Sequence, residues 1–149
     1  MNDTDIIKEF QGGYRWLSNF AAVPIVLRGV KYPSVEHAYM SEKADLPEWK
    51  KFCSDPTNYA GAIKRKSRSV PLVSNWEEIK IPIMRECVYQ KFTQEPFRTK
   101  LIATGTRHIQ EGNTWGDKFW GVNLLTGAGR NELGKLIMAE RERLLNDIP

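Results

Sequence analysis

Residues 33–47, PSVEHAYMSEKADLP, form a segment with a proline near each end, and this sets tight limits on its local structure. Pro33 and Ser34 are a helix start signal, and Pro47 cannot continue a helix that precedes it. Between them, apolar side chains recur at three- and four-residue steps. The pattern therefore predicts a helix that begins at Val35 and runs to the residue before Pro47.

The predicted helix carries two ionisable side chains, Glu36 and Lys43, on one stripe. A rise of about 1.5 Å per residue separates them by roughly 10 Å, which is too far for a direct salt bridge but allows both to contact one ligand. A carboxylate in the first turn also complements the helix N-terminus. From the pattern alone, Glu36 and Lys43 are either part of a site or a capping charge and a solvated lysine.

The remaining sequence predicts short strands and further helices. Strands are expected at residues 6–11 and in VPIVL and VKY, which flank a hairpin turn at Arg28 and Gly29. Helices are expected from about Pro56 with Asp55 as cap, from about Ser74 with an interruption at Pro82, over 96–104, and over 131–145 with Leu133, Leu136, Ile137, Met138, Leu144 and Leu145 buried. The predicted fold is α+β, a helix-rich single domain over residues 1–149 with a small antiparallel sheet.

Length and composition narrow the class of protein. A chain of 149 residues fits one domain with a buried core. Cys53 and Cys87 show no metal-ligand or redox spacing, and no apolar run approaches the roughly 20 residues needed to cross a bilayer. These features predict a soluble protein of the reducing cytoplasm. With two histidines, no Cys/His cluster and no phosphate-binding Gly-rich loop, we expect no metal and no cofactor.

A basic cluster stands out against the mild net charge of +4. Lys64, Arg65, Lys66 and Arg68 occupy four of five consecutive positions. Such a cluster suits a phosphate-bearing partner, and it is equally typical of a solvated helix face. A protein that reads duplex DNA would need a longer basic stripe or a groove-binding motif.

The segment GNTWGDKFWGVN, residues 112–123, is rich in glycine and tryptophan. Large aromatic side chains in a loop often cover a flat ring or close a pocket, which makes Trp115 and Trp120 candidate binding residues. Asp117 between them is a candidate acid or base, or a turn former. His37 points to a different face of its helix from Glu36 and is interpreted as a structural hydrogen-bonding residue.

Five segments together carry a resemblance to a known family: YRWLSNF (14–20), VEHAYMSEKA (35–44), NWEEIKIPIMRECVYQKF (75–92), WGDKFWGVN (115–123) and GRNELGKLIMAER (129–141). In their order and spacing they resemble the NADAR family, which includes the YbiA-type N-glycosidases. The resemblance covers nearly the whole chain and implies a YbiA-like fold.

The resemblance implies hydrolysis of an N-glycosidic bond between ribose and a nitrogen heterocycle. The first expectation is cleavage of a ribosylaminopyrimidine phosphate, an early intermediate of riboflavin biosynthesis, into base and ribose 5-phosphate. One alternative is removal of ADP-ribose from guanine in nucleic acid. Another is a module that binds NAD or ADP-ribose without turnover, against which the full set of catalytic residue types argues.

Carried over position by position, the resemblance implies a set of site residues. The catalytic candidates are Glu36, Lys43 and Asp117, and the substrate-binding candidates are Trp76, Asn19, Phe20, Tyr39, Arg65, Trp120 and Gly121. Cleavage of a ribosyl C–N bond develops positive charge at C1, which a carboxylate stabilises, and the leaving nitrogen needs a proton. We expect Glu36 to act as base or electrostatic stabiliser and Asp117 to orient water or pass a proton. The resemblance leaves two routes open: Lys43 attacks C1 of a ring-opened ribose and forms a Schiff base, provided that burial lowers its pKa, or water hydrolyses the bond directly.

The chain departs from the family pattern at two places. Met40 stands where relatives commonly have Gln, and VSN at 73–75 replaces a segment that often contains Arg. Both differences bear on the substrate more than on the reaction.

Overall fold

The computed structural model describes residues 6–148. The helices are α1 (Val35–Ser41), α2 (Pro47–Ser54), α3 (Ala60–Lys66), α4 (Trp76–Phe92), α5 (Phe97–Ala103) and α6 (Glu132–Asn146), with 3-10 turns at Gly12–Leu17 and Ser67–Ser69. The strands are β1 (Ile6–Ile7), β2 (Ala22–Leu27), β3 (Val30–Ser34), β4 (His108–Ile109), β5 (Gly112–Asn113) and β6 (Val122–Asn123). The predicted α+β class, rich in helix with little sheet, is confirmed.

Among residues 6–148, strand pairing occurs in three separate two-stranded sheets. Strands β2 and β3 form the predicted antiparallel hairpin, whereas β1 with β4 and β5 with β6 are parallel. The strand predicted at residues 6–11 is present as β1, although it is shorter than expected, whereas the two-residue strands β5 and β6 are too short to leave an alternating pattern in the sequence. The described chain divides into two compact units, residues 19–91 and residues 6–18 with 92–148. The expectation of one domain over residues 1–149 stays a prediction.

The hairpin turn lies where the sequence predicts it. Arg28 and Gly29 both have positive φ, 50° and 79°. Two consecutive residues of positive φ match the right-handed twist of the strands that they join. On β2, Val23 and Ile25 are buried, and the main-chain groups of Val26 bond to the side chain of Gln90 rather than to β3.

Helix α1 begins as predicted and ends earlier. Ser34 is its N-cap and accepts a hydrogen bond from the backbone N–H of His37 at 3.2 Å. The helix ends at Ser41, so the prediction that it continues to the residue before Pro47 is wrong. Lys43 instead lies in a turn, where its N–H bonds to the carbonyl of Met40 three residues back. Such tighter bonds commonly close a helix.

The two prolines that follow act differently from the prediction. Pro47 begins α2, which the sequence reading missed, because proline suits the first turn of a helix as well as ending a preceding one. Pro56 does not start a helix: Oδ1 of Asp55 accepts the N–H of Thr57 at 2.9 Å and forms a turn, and α3 begins at Ala60.

Helix α4 runs without a break through Pro82, so the predicted interruption is wrong. The ring of Pro82 is exposed, while Met84, Cys87 and Val88 on the same helix are buried. Burial of this apolar stripe offsets the backbone hydrogen bond that proline removes.

In the unit of residues 6–18 and 92–148, α6 buries Leu133, Ile137 and Leu144 as predicted. Leu145 is exposed, because a step of one residue rotates it about 100° away from Leu144. Leu136 and Met138 are half-buried. The buried stripe also includes Arg141, whose guanidinium donates to Oγ1 of Thr104 at 3.0 Å. Within residues 6–148, no helix has the length and apolar character required to cross a membrane.

Candidate functional site

The predicted site residues fall into both units. The unit of residues 19–91 contains Asn19, Phe20, Glu36, Tyr39, Lys43, Arg65 and Trp76, and the other unit contains Asp117, Trp120 and Gly121. Each group is described within its own unit.

Glu36 lies in the first turn of α1, and its side chain is only 6% exposed. Its backbone N–H donates to the carbonyl of Asn19 at 3.0 Å, which satisfies one of the free N–H groups at the start of the helix. The amide of Asn19 points to Sδ of Met84 at 3.6 Å. Asn19 therefore fixes the backbone at Glu36, and its predicted contact with ribose hydroxyls stays a prediction.

Lys43, Trp76 and Tyr39 lie side by side. Nζ of Lys43 is 5.8 Å from the centroid of the Trp76 ring. The rings of Trp76 and Tyr39 are 5.1 Å apart and inclined by 54°. Trp76 is the first residue of α4 and is almost fully buried. Within this unit the amine of Lys43 therefore lies beside the indole of Trp76, which in turn packs against the ring of Tyr39.

The surroundings of Lys43 lower its pKa from the usual value. Burial is the largest cause, because it disfavours the charged ammonium. The carboxylate of Glu36 acts in the opposite direction and raises the pKa, while the positive charges of Lys64, Arg68 and Lys80 lower it further. Within residues 6–148, Lys43 makes no ion pair shorter than 4 Å. Because its pKa is lowered, a larger fraction of this amine is neutral than in an ordinary lysine, and a nucleophilic lysine requires the neutral amine.

The residues of the basic cluster do not all interact with the same part of the unit. Lys64 and Arg68, four residues apart, are the members whose charges act on Lys43. Arg65 instead donates from Nη2 to the hydroxyl of Tyr59 at 2.7 Å, and its guanidinium lies over that ring. The predicted role of Arg65 in substrate binding stays a prediction.

Lys80 is a cation near the site that the sequence analysis did not single out. A signal was present, because Lys80 follows Trp76 by four residues on one helix, and residues at this spacing share a face.

Phe20, the remaining predicted binding residue of this unit, directly follows Asn19 and is partly exposed.

His37 is held by two hydrogen bonds. Its Nε2 lies 2.6 Å from the carbonyl of Asn58, and its Nδ1 lies 2.7 Å from Oγ of Ser34. A carbonyl only accepts, so Nε2 donates, and in the neutral imidazole Nδ1 accepts from Ser34. These bonds agree with the interpretation of His37 as a structural residue.

In the other unit, Asp117 organises a turn. Its Oδ1 accepts the backbone N–H groups of Phe119 at 3.1 Å and Trp120 at 2.9 Å. The buried side chain of Asn113 bonds to the backbone N–H and carbonyl of Asp117. Across the described residues, Oδ2 of Asp117 takes part in no hydrogen bond. Asp117 is therefore a turn former that also retains one carboxylate oxygen for other partners.

The tightest packing in this loop is at Gly121. A Cβ atom added there would lie 2.1 Å from the carbonyl oxygen of Glu111, a distance that no real structure tolerates. Trp120 packs edge-on against Phe119 with ring centroids 4.8 Å apart, whereas Trp115 is 59% exposed. Packing against the backbone is sufficient to explain Gly121, and a role in substrate binding stays a prediction.

The described residues, 6–148, contain no group of three or more His, Cys, Asp or Glu side chains arranged to hold a metal. Cys53 and Cys87 are buried, and burial raises the pKa of each thiol to about 12, so neither is a reactive thiolate. The chemistry available at Glu36, Lys43 and Asp117 is therefore that of an amine and carboxylates.

Comparisons with known proteins identify the family to which the chain is similar. The model of the NADAR domain family matches residues 7–145. The N-glycosidase YbiA of Shigella boydii is 35% identical over 133 residues, which cover 88% of this chain and 82% of that protein. The riboflavin biosynthesis protein VVA0006 of Vibrio vulnificus is 34% identical over 137 residues, which cover 90% of this chain and 36% of that longer protein.

A solved structure has the same fold. The NMR structure of the Escherichia coli protein YbiA superimposes with a TM-score of 0.79 at 30% sequence identity. The match covers 99% of this chain and 84% of the YbiA chain.

Proposed function

Because the chain belongs to the NADAR domain family, we propose that it is an N-glycosidase that acts on a ribosylaminopyrimidine phosphate and releases the base and ribose 5-phosphate. The class of enzyme, a hydrolase of N-glycosyl bonds, follows from relatives named N-glycosidase. The choice of substrate is supported by a relative named as a riboflavin biosynthesis protein. The single observation that carries the mechanism is the partly buried Lys43 amine beside Trp76, with a lowered pKa.

The amine of Lys43 provides the nucleophile. In the ring-opened form of the ribosylamine, C1 is an electrophilic imine carbon, and the neutral amine adds to it. The bond from C1 to the base nitrogen then breaks, that nitrogen takes a proton, and a Schiff base between C1 and Nζ remains. Water adds to C1, the bond from C1 to Nζ breaks, and ribose 5-phosphate leaves with the amine restored.

Two carboxylates assist these steps. The negative charge of Glu36 raises the pKa of Lys43, so the two groups interact directly through their charges. Glu36 therefore stabilises the protonated nitrogen species that form along the reaction. Asp117, whose Oδ2 takes up no hydrogen bond in the described part of the chain, orients water or transfers a proton to the leaving base.

Three cations provide the phosphate site. The positive charges of Lys64, Arg68 and Lys80 all lower the pKa of Lys43, which supports a phosphate site on this side of the unit, although Lys80 also forms an ion pair with Glu77 at 2.5 Å. Charge-assisted hydrogen bonds from lysine and arginine are the usual means of holding phosphate. The same cations suit the pyrophosphate of ADP-ribose, which keeps removal of ADP-ribose from guanine as the second candidate function.

The experiment compares two substrates in parallel. Hydrolysis of a ribosylaminopyrimidine phosphate and of ADP-ribosylated guanine in a short oligonucleotide is followed by mass spectrometry of the released sugar, with the wild type and Glu36→Gln. Release from the pyrimidine alone, lost in the variant, is the expected result. Release from the guanine alone selects the second candidate. Binding of ADP-ribose without release from either substrate would instead indicate a binding module.

A further inference from the structure

A groove opens within residues 19–91, and its lining does not include the residues assigned to catalysis. Its volume is about 510 Å³, within the range of roughly 300 to 1,000 Å³ typical of small-molecule sites. The apolar part of its lining comes mainly from α4 and the segment before it, namely Val73, Ile79, Pro82 and Ile83. Neither Glu36, Lys43, Tyr39 nor Trp76 lines it.

The groove and the candidate catalytic site are built on the same two segments of the chain. Glu42 lines the groove, and the next residue, Lys43, carries the proposed nucleophile. Asn75 lines the groove, and the next residue, Trp76, contacts that lysine. The two segments are joined by a hydrogen bond from the N–H of Val73 to the carbonyl of Lys43 at 2.8 Å.

The charges at the rim of the groove balance. Glu42 is buried, and its carboxylate accepts from Nε of Arg28 at 3.2 Å and lies 3.9 Å from Nζ of Lys50. Asp45 adds a second negative charge to the two positive ones. A net charge of zero gives no field that would favour phosphate over a neutral molecule.

Several polar groups of the groove are not committed to protein partners. Within residues 6–148, the two terminal nitrogens of Arg28, the side-chain amide of Asn75 and the carboxylate of Asp45 take part in no hydrogen bond. Arg28 is held by its Nε alone, so its planar guanidinium face and its remaining donors are available. The side-chain amide of Asn75 and the carboxylate of Asp45 therefore offer a hydrogen-bond donor and acceptors beside the apolar side chains of the groove.

We infer that this groove is a second ligand site, for a neutral heterocyclic base that carries an adjacent hydrogen-bond donor and acceptor. A flat base covers the apolar side chains of Ile79 and Ile83 and stacks against the guanidinium of Arg28, as unstacked bases do on arginine planes. Asn75 and Asp45 read its polar edge, which is how side-chain amides and carboxylates distinguish bases. The base belongs to a free nucleoside or to a nucleic acid strand.

The test is a titration of ¹⁵N- and methyl-labelled protein, followed by NMR. Cytidine, which is neutral and has an adjacent amino donor and ring nitrogen acceptor, serves as the free nucleoside, and a short single-stranded oligocytidylate serves as the strand. We expect saturable shifts of the Asn75 side-chain amide and of the Ile79 and Ile83 methyl groups with one or both ligands. Tighter binding of the strand than of cytidine would identify a nucleic acid as the source of the base.

Variants separate this groove from the catalytic site. Asn75→Leu is expected to weaken binding about tenfold, the loss of roughly one good hydrogen bond, whereas Ser74→Ala, at an exposed neighbour outside the groove, leaves it unchanged. Lys43→Arg is expected to leave binding in the groove unchanged even if it removes turnover. Absence of saturable shifts with both ligands, or shifts that are equal in Asn75→Leu and the wild type, would overturn the inference. Neither result depends on whether the enzyme hydrolyses its proposed substrate.

Discussion

Nζ of Lys43 lies 5.8 Å from the ring centroid of Trp76, near the outer limit of about 6 Å for a cation–π contact. At this distance the ring stabilises the ammonium only weakly, and burial is the dominant influence on its pKa. The indole therefore serves to exclude water from the amine more than to hold its charge.

The pKa of Lys43 is expected to respond in opposite directions to two substitutions. Glu36→Gln removes the carboxylate that raises this pKa, so the pKa falls further. Lys80→Met removes a cation that lowers it, so the pKa rises toward the usual value. NMR titration of ¹³C-labelled lysine side chains measures both shifts, with Lys51→Met on the exposed face of α2 as control. Shifts of the same sign in the two variants would contradict the assignment.

Lys43→Arg is expected to abolish turnover. Arginine keeps the positive charge and most of the length of the side chain, but it stays protonated and provides no free amine. Borohydride should trap sugar on the wild type and not on the variant, as measured by intact-protein mass spectrometry. Normal activity of Lys43→Arg would mean that water attacks C1 directly.

Lys64→Met and Arg68→Met are expected to raise KM about tenfold or more, with a smaller effect on kcat. Each substitution removes a charge-assisted contact of roughly 1.5 to 3 kcal/mol with the substrate phosphate. Arg65→Met is expected to change KM less, because Arg65 is bound to Tyr59. Steady-state kinetics of the three variants test this order. A larger effect at Arg65 would place the phosphate on that side of α3.

Lys91 is expected to make stability depend on pH. It is nearly fully buried, and burial lowers its pKa to about 7. Since the unfolded pKa is near 10.4, the folded state binds fewer protons between these values, and stability rises with pH across this window by up to about 1.4 kcal/mol per pH unit. Below pH 7, Lys91 lowers the free energy of unfolding by its full amount, because the amine must either stay charged in the core or lose its proton.

Lys91→Met lacks this dependence. Urea unfolding of both proteins at pH 7 and pH 9 is expected to show the wild type gaining about 2 kcal/mol relative to the variant on going to the higher pH. The difference between the proteins removes contributions from other titrating groups. A difference that is equal at the two pH values would show that Lys91 keeps an ordinary pKa.

Gly121→Ala is expected to destabilise the protein by about 3 kcal/mol or more, because the added Cβ meets the backbone of Glu111, which has little room to move. Gly13→Ala provides a matched control, since a Cβ there meets nothing within 4 Å and the backbone has no positive φ. Thermal unfolding of the two variants should differ by many degrees. Similar melting temperatures would mean that the loop around Gly121 rearranges freely.

The sequence predicts local features of this fold well. The hairpin turn at Arg28 and Gly29 and the start of α1 at Val35 follow from short-range backbone preferences, and both are present. The end of α1 does not follow from Pro47, because proline begins a helix as readily as it ends the preceding one, and here it begins α2. The parallel pairing of β1 with β4 and of β5 with β6 depends on contacts between residues that are not neighbours in the sequence, and local patterns do not reveal such contacts.

For the candidate site, the family resemblance indicated Glu36, Lys43 and Trp76, and in the structure Lys43 interacts with both of the others. Local sequence does not reveal which side of α3 faces Lys43, and therefore it did not favour Lys64 over Arg65. The groove at Arg28 and Asn75 joins residues far apart in the chain, so no sequence pattern marks it. The location in the cytoplasm stays a prediction.

The bonds between Gln90 and Val26 bear on how this protein avoids self-association. The edge of an exposed strand is a template onto which another polypeptide can add as a new strand. Gln90 accepts from the N–H of Val26 and donates to its carbonyl, each at 2.8 Å, and so imitates the backbone of such a partner with a single side chain. An incoming strand finds this position of β2 already occupied, so the two-stranded hairpin is protected against edge-to-edge aggregation without a third strand.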